Sequence, residues 1–531
     1  MNFFTKLIKK LNPYIIQFLL VIVLLFAAFL RLYKVREYMT FLGDEGRDML
    51  VVYDILHGKF TLLGPTASVG GFFMGPIYYY FITPFLWLFH YDPIGPSVMV
   101  GLLGVITVYF VYKIGSEFLG RKQGLIAAFL YSISPLVIAH SRSSWNPNVM
   151  PFFSLVTMYA LWKAMIKKRN IFLLLLTGIL FGIDIQLHYV ELFLGIAILV
   201  YILVFRFFES GNNVSFKGSL LKIAKDYTCI FIGFILGFSP FLAFEMRHGF
   251  PNIKSVINFI FHSGETGGNS NFFPIITNVF FRLFGRLVTA YPPSEQIVAG
   301  MHKNIEYITS LVWIVATASF FYFVYLLCLR YKEKNQNFYQ LLLLCIWFTS
   351  GVIIFGFYKK PIYDYYFEFL FPLPFLFVGN FLIFLWSRKL VYKMVSSVFF
   401  LWIVTVSLMG IPFRFSPNRQ LEQTQTISKF VIERAEGKPF NFALITGGNS
   451  DHAYRYFFKL AGKDPIVIQY EGADPQRKTV TDQLLVVCEK LPCEPLGNPL
   501  WEVSGFGRAE IAASWDVSVV KVYKLARYFF K

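Results

Sequence analysis

The sequence predicts a mostly helical, polytopic membrane bundle followed by a small α/β domain. Three observations predict it. Hydrophobic residues fill 56% of the 531 positions and charged residues 15%, at a mean hydropathy of +0.56, where a soluble chain carries about 25% charged residues. Several windows exceed the roughly 18 apolar residues that mark a membrane span. This hydropathy stops near residue 412, after which the chain is mixed polar with short β-branched runs. The expected organisation is a membrane domain over 1–411 and a second domain over 412–531.

Taken in order, the spans are expected near 14–30, 95–114, 124–140, 147–166, 171–187, 190–205, 228–244, 306–329, 338–357, 366–386 and 393–411, about 11 in all. The first follows Lys6, Lys9 and Lys10. It resembles a signal peptide at that end, but its apolar run is too long and no small-residue cleavage site follows, so it is expected to stay as a helix.

Orientation comes from the loops. With the N-terminus in the cytoplasm, every inner loop is basic: Lys113/Arg121/Lys122, Lys163/Lys167/Lys168/Arg169, Arg206/Lys217/Lys222/Lys225, Arg330/Lys332/Lys334 and Arg388/Lys389/Lys393. That placement explains the net charge of +18 as membrane anchoring and argues against a nucleic-acid partner. Arg47, Arg142, Arg247, Arg282, Arg286, Lys359 and Lys360 fall on the outer side and become candidates for function. So do Asp184, His188, Glu191, Glu245 and Glu368, all at outer helix ends, where ionisable groups beside hydrocarbon mark a cavity or snorkel to the interface.

The first outer loop, about 31–94, carries Gly43-Asp44-Glu45-Gly46-Arg47-Asp48. Asp44 is expected to cap a helix running to about His57. Pro76 to Phe89 is apolar and aromatic but short for a span, and is expected to lie against the membrane. The second long outer loop, about 245–305, is rich in Gly, Asn and Ser from His262 to Asn271, which suits a mobile lid or a passive connector. Val279 to Leu287 is a candidate interfacial helix.

The C-terminal domain is expected to have strands at Phe442–Ile445, Leu484–Val487 and Val517–Val522 and a helix at His452–Leu460. The odd span count places it outside, in an oxidising compartment, where Cys488 and Cys493 are a disulfide candidate. Cys229, Cys328 and Cys345 lie within spans and read as small apolar residues. No phosphate loop, dinucleotide fingerprint or His-Glu-x-x-His pair is present, which argues against an ATP-driven pump and a membrane zinc protease. Nothing specifies a metal site.

Asp44-Glu45 in a long first outer loop, Pro76-x-x-Tyr-Tyr, and Ser141-Arg142-x-x-Trp-Asn146-Pro147 between spans resemble the GT-C glycosyltransferases. More narrowly they resemble glycosyltransferase family 39, the protein O-mannosyltransferases and the related aminoarabinose transferases. The resemblance covers about 1–400 in architecture, with its sharp motifs in the first 190 residues. It implies an enzyme of the plasma membrane that moves a sugar from a polyprenyl-phosphate carrier to an acceptor (protein, lipid or glycan) on the extracytoplasmic face. No cofactor is implied beyond that donor, although some related enzymes use a divalent cation.

The carry-over makes Asp44 the base and gives Glu45 a supporting role. Arg47, in an Asp-Glu-x-Arg pattern, becomes a phosphate ligand, or else forms a salt bridge with Asp48 or Glu45. Arg142 becomes a second phosphate ligand. Lys359 and Lys360, beside Tyr363 and Tyr365, resemble a late outer loop that closes over the lipid phosphate, or serve as an interfacial anchor. His188 and Tyr189 line the substrate pocket or form a helix-end polar pair, and Asn146 stands where relatives often have Asp. Gly75-Pro76 replaces a Lys-Pro found in some relatives. Direct displacement with one base implies inversion. A glycolipid transporter or flippase would share the spans but calls for polar residues deep within them, symmetric halves and broken helices, and few are seen in the sequence. A membrane scaffold would leave the Asp44 cluster unexplained.

Overall fold

The structure is a computed structural model that describes all residues except 1, 68, 167–169, 211–215, 269, 299–303 and 529–531. Lys167, Lys168 and Arg169 of the basic loops therefore lie outside the described residues. Among the described residues, seven helices are long and apolar enough to cross a membrane, and two bent pairs qualify when each pair is taken as one span. The protein is a multi-pass membrane protein.

In chain order the membrane part runs α1 (Asn2–Leu32), α2 (Gly43–Leu56), α3 (Ile77–Leu88), α4 (Ile94–Phe118), α5 (Arg121–Ile133), α6 (Pro135–His140), α7 (Met150–Ile166), α8 (Ile171–Leu187), α9 (Leu192–Ser210) and α10 (Phe216–Gly237). It continues with α11 (Ser239–His248), α12 (Pro251–Phe261), α13 (Phe272–Val288), α14 (Ile305–Lys332), α15 (Phe338–Ile354), α16 (Pro372–Trp386) and α17 (Leu390–Met409).

Three expected spans are not straight helices. The one at 124–140 is broken between α5 and α6, where Ser134 is extended (φ −62°, ψ 121°) before Pro135. The proline ring disfavours helical backbone at the preceding residue. The one at 228–244 crosses a 76° bend between α10 and α11, and the one at 366–386 combines a 3-10 turn, Asp364–Leu370, with α16 at 61°. The expected span at 171–187 is α8, which has the same bounds but at 17 residues is shorter than the helices long enough to cross a membrane.

α8 and α10 approach backbone to backbone. A Cβ on Gly178 or Gly182 would strike the main chain of α10 near Ile230 and Phe234, and one on Gly233 or Gly237 the main chain of α8. Paired small-xxx-small faces allow this approach, and Gln186 Nε2 donates to the Gly237 carbonyl across it at 2.7 Å.

The C-terminal domain holds α18 (Gln420–Arg434), β1 (Asn441–Ile445), α19 (His452–Leu460), β2 (Gln483–Cys488), β3 (Ala509–Val517) and β4 (Val520–Arg527). The sheet order is β1-β2-β4-β3, with β1 and β2 parallel and the other pairs antiparallel. Alternate residues of the strands face opposite sides. Phe442, Leu444, Leu485 and Val487 meet Ile427, Val431 and Phe458, whereas Ala443, Leu484 and Val486 meet Ile468, Val503 and Phe506. The strand expected at Val517–Val522 is instead the β3–β4 hairpin: β3 ends at Val517, Ser518 takes φ 54°, and β4 starts at Val520. Its valines belong to two strand ends and the turn between them rather than to one strand. The Cys488 and Cys493 sulfurs are bonded.

Candidate active site

The acidic motif builds the first turn of α2. Leu42 N donates to Glu45 Oε2 at 3.0 Å, so Glu45 closes this turn and Asp44, expected as the cap, does not. Asp44 sits one position too early to reach back. Gly43 N donates to Asn449 Oδ1 of the C-terminal domain at 2.9 Å, so a side chain more than 400 positions away also caps the helix. Asp44 is left half exposed, and its Oδ1 accepts from Arg47 Nη1 at 2.8 Å. Arg47 also holds Asp48 through Nε and Nη2 at 3.1 and 2.8 Å. Of the two readings for Arg47, the ion pair is present, with Asp44 and Asp48 as partners and not Glu45.

Burial pushes the Glu45 carboxyl up to about 7, against the hydrogen bond from Leu42. Burial also pushes Asp48 up to about 6, against the pull of Arg47. A carboxyl raised in this way binds its proton more tightly in the folded protein than in the unfolded chain. The stability it contributes is full below its ordinary value of 4.5 and is lost as pH rises through about 7. Glu45→Gln, which keeps an oxygen for Leu42 N, is expected to flatten that loss, on the order of 3 kcal/mol. Thermal melts between about pH 5 and 8 check it; parallel curves for the two proteins would count against a buried, titrating Glu45.

A cavity of about 960 Å³ opens beside Asp44. Asp44 and Glu45 form one wall, His140, Ser143, Trp145 and Asn148 a second, and Thr446–Ser450 with Glu489 and Lys490 a third. The third wall belongs to the C-terminal domain and is stiffened by Glu489, which accepts from Thr446 Oγ1 (2.7 Å), Tyr454 OH (2.8 Å) and Asn449 Nδ2 (3.2 Å). On the second wall His140 Nδ1 lies 2.5 Å from Oε1 of the fully buried Glu368. Sequence reading missed His140, Asn449 and Glu489; His140 stands two residues before Arg142 of the recognised motif.

The other candidates divide into groups. His188 and Tyr189 line a second, apolar cavity of about 140 Å³ with Phe72, Met74, Phe259 and Tyr366, and the Tyr189 hydroxyl donates to the Phe73 carbonyl at 2.6 Å. Tyr365 packs edge-on to Trp145 of the first cavity and to His188 of the second, at 4.7 and 5.8 Å between ring centroids. Tyr363 stacks on Tyr365 at 5.9 Å. Asn146 lines neither cavity; its Nδ2 donates to the Leu187 carbonyl at 2.6 Å. Lys360 pairs with Glu265 at 3.0 Å, and Lys359 N donates to the Glu265 carbonyl, so this loop is zipped to the glycine-rich segment at Thr266–Tyr358. Arg282 and Arg286 together clamp Asp364, and Glu245 caps α12 through Asn252 and Ile253.

Arg142 is turned away from the large cavity. Its Nη1 donates to the Leu30 carbonyl at 2.8 Å and Nη2 to those of Tyr33 and Lys34 at 2.8 and 3.1 Å, satisfying the end of α1. Its guanidinium stacks 4.9 Å from the Phe413 ring, and burial lowers its pKa to about 10. Arg142→Ala is expected to cost roughly 3 kcal/mol by orphaning these carbonyls while leaving the KM for a lipid-phosphate donor unchanged. A raised donor KM with unchanged melting temperature would return Arg142 to the phosphate.

Among the described residues, no three His, Cys, Asp or Glu side chains come together as a metal site.

Residues 74–242, roughly a third of the chain, match the family described as dolichyl-phosphate-mannose-protein mannosyltransferase. No curated protein matches the sequence. Among solved structures, ArnT from Cupriavidus metallidurans bound to undecaprenyl phosphate superposes with a TM-score of 0.59 at 12% identity, over 95% of this chain and 97% of its own. Its apo state gives 0.58 at 11%, over 97% and 98%. The archaeal oligosaccharyltransferase AglB from Archaeoglobus fulgidus, in complex with an inhibitory peptide and a dolichol-phosphate, gives 0.51 at 13%, over 90% and 70%.

Proposed function

The chain has the GT-C glycosyltransferase fold, and on that premise we propose that it transfers a sugar from a polyprenyl-phosphate donor to an acceptor with Asp44 as the base. The observation that carries the reading is a half-exposed carboxylate on the wall of a 960 Å³ cavity roofed by the C-terminal domain. The acceptor O–H attacks the anomeric carbon, its proton passes to Asp44, and the bond to phosphate breaks, with inversion at that carbon. Arg47 holds Asp44 in its rotamer. Glu45, buried and hydrogen-bonded to Leu42, fixes the turn that presents it. The apolar cavity at His188 and Tyr189 suits the isoprenoid next to the phosphate, with the Tyr363 and Tyr365 rings as the divider.

The basic residues of the alternate loops support a cytoplasmic N-terminus and an extracytoplasmic cavity. A polyprenyl-phosphate sugar then reaches the site from the bilayer, and the acceptor enters between the two domains. The test is transfer of labelled sugar by the purified protein from a mixed pool of polyprenyl-phosphate sugars. Labelled product supports the reading, and its identity names the acceptor. A folded protein that transfers nothing from a broad pool would sink it.

A further inference from the structure

Three of the four cations that the motif resemblance assigned to phosphate are engaged elsewhere, Arg47 with Asp44 and Asp48, Arg142 with the end of α1 and Lys360 with Glu265, and the fourth, Lys359, does not line the large cavity. Among the described residues lining the large cavity, His140 and Lys490 are the two that can carry positive charge. Lys490 is exposed and lies on the C-terminal-domain wall. His140 lies on the wall formed by the membrane helices, and its side chain is 22% exposed, whereas its partner Glu368 is 0% exposed. One edge of the ring is fixed by Glu368, whose second oxygen has no protein partner. With Nδ1 taken, Nε2 is the nitrogen left for the cavity. A buried carboxylate that orients an imidazole in this way fixes which nitrogen is free to act.

We propose that His140 is the contact for the departing phosphate of the lipid donor, with Glu368 as its positioning residue. This rests on the transferase reading above. The acceptor oxygen bonds to the anomeric carbon, the carbon–oxygen bond to phosphate breaks, and its electron pair stays on the phosphate. The acceptor proton goes to Asp44. With one proton held between Nδ1 and Glu368, Nε2–H is left to hydrogen-bond the phosphate oxygen as its charge grows, without transferring the proton. A charge-assisted bond at that position replaces the guanidinium or ammonium of the motif.

The test is binding of polyprenyl phosphate and of neutral polyprenol of equal chain length to the full-length protein in detergent. His140→Gln is expected to weaken the phosphate lipid about tenfold and leave polyprenol unchanged, and Glu368→Gln to give a smaller loss in the same direction. Equal phosphate affinity in His140→Gln overturns the assignment, as does a parallel loss of polyprenol. Acylation of His140 in the wild type by diethyl pyrocarbonate, read by peptide mass, gives a measure free of folding defects. Protection by polyprenyl phosphate but not by polyprenol is expected, and protection by neither overturns the proposal. A wild type that does not distinguish the two lipids would sink the donor reading itself, whereas failure of His140 alone leaves that reading standing.

Discussion

Asp44→Asn is expected to lower the transfer rate by about a thousandfold, within the range seen when a general base is removed. The amide keeps the size of the carboxylate and cannot take the acceptor proton. The fold is expected to tolerate the change, because Asp44 is half exposed and Arg47 keeps its two bonds to Asp48. The turn also keeps its caps, since Leu42 N is held by Glu45 and Gly43 N by Asn449. The loss should therefore appear in kcat, with the donor KM little changed, the signature of an interaction made in the transition state. Steady-state transfer by wild type and variant side by side, with melting temperatures for both, decides it. Equal rates would keep the transferase class and remove Asp44 as its base, and Glu45 would be the next residue to change.

Gly46→Ala is expected to destabilise the protein by about 2–3 kcal/mol and to loosen the C-terminal domain. A Cβ at Gly46 would run into the main-chain nitrogen and Cα of Ala453 and the carbonyl carbon of His452. These are backbone atoms, which cannot swing aside as a side chain would. The start of α19 would have to lift from α2, and with it the Asn449 cap, the packing of Phe457 on Phe41 and the Tyr456 hydrogen bond to the Tyr91 carbonyl. Helix propensity argues the opposite way, since alanine in a helix is favoured over glycine by about 1 kcal/mol. The sign of the change therefore separates a docking role from a local one. Protease should cut more readily between α17 and α18 in the variant, and transfer should fall at least about tenfold, since the third cavity wall moves. A variant that melts higher than the wild type would show that domain contact does not set the stability of α2.

The two predictions mark where local reading of this chain succeeds and where it stops. Seven of the expected spans were legible as long apolar helices, and two more as bent pairs, because partition between hydrocarbon and water is a property of each segment by itself. The helix at His452–Leu460 and the strands at Asn441–Ile445 and Gln483–Cys488 were legible for a related reason, their apolar periodicity. The acidic motif stood out because charge is scarce in so apolar a sequence. The span at 124–140 could have been divided at Ser134-Pro135 from the proline alone. The hairpin at Ser518 could not, because Val517–Val522 holds no Gly, Pro or Asn to mark a turn.

The sequence by itself determined that this protein lives in a membrane and that Asp44, Glu45 and Arg47 belong together on one helical turn. Tertiary structure alone decided that Glu45 and Asn449 cap that turn, that Arg142 serves the end of α1, that His140 leans on Glu368, and that the C-terminal domain forms the third wall of the cavity. The reason is range. Hydropathy and periodicity act over neighbouring residues, whereas each of these contacts except the Glu45 cap joins groups more than a hundred positions apart, and which donor finds which acceptor is settled only when the helices pack.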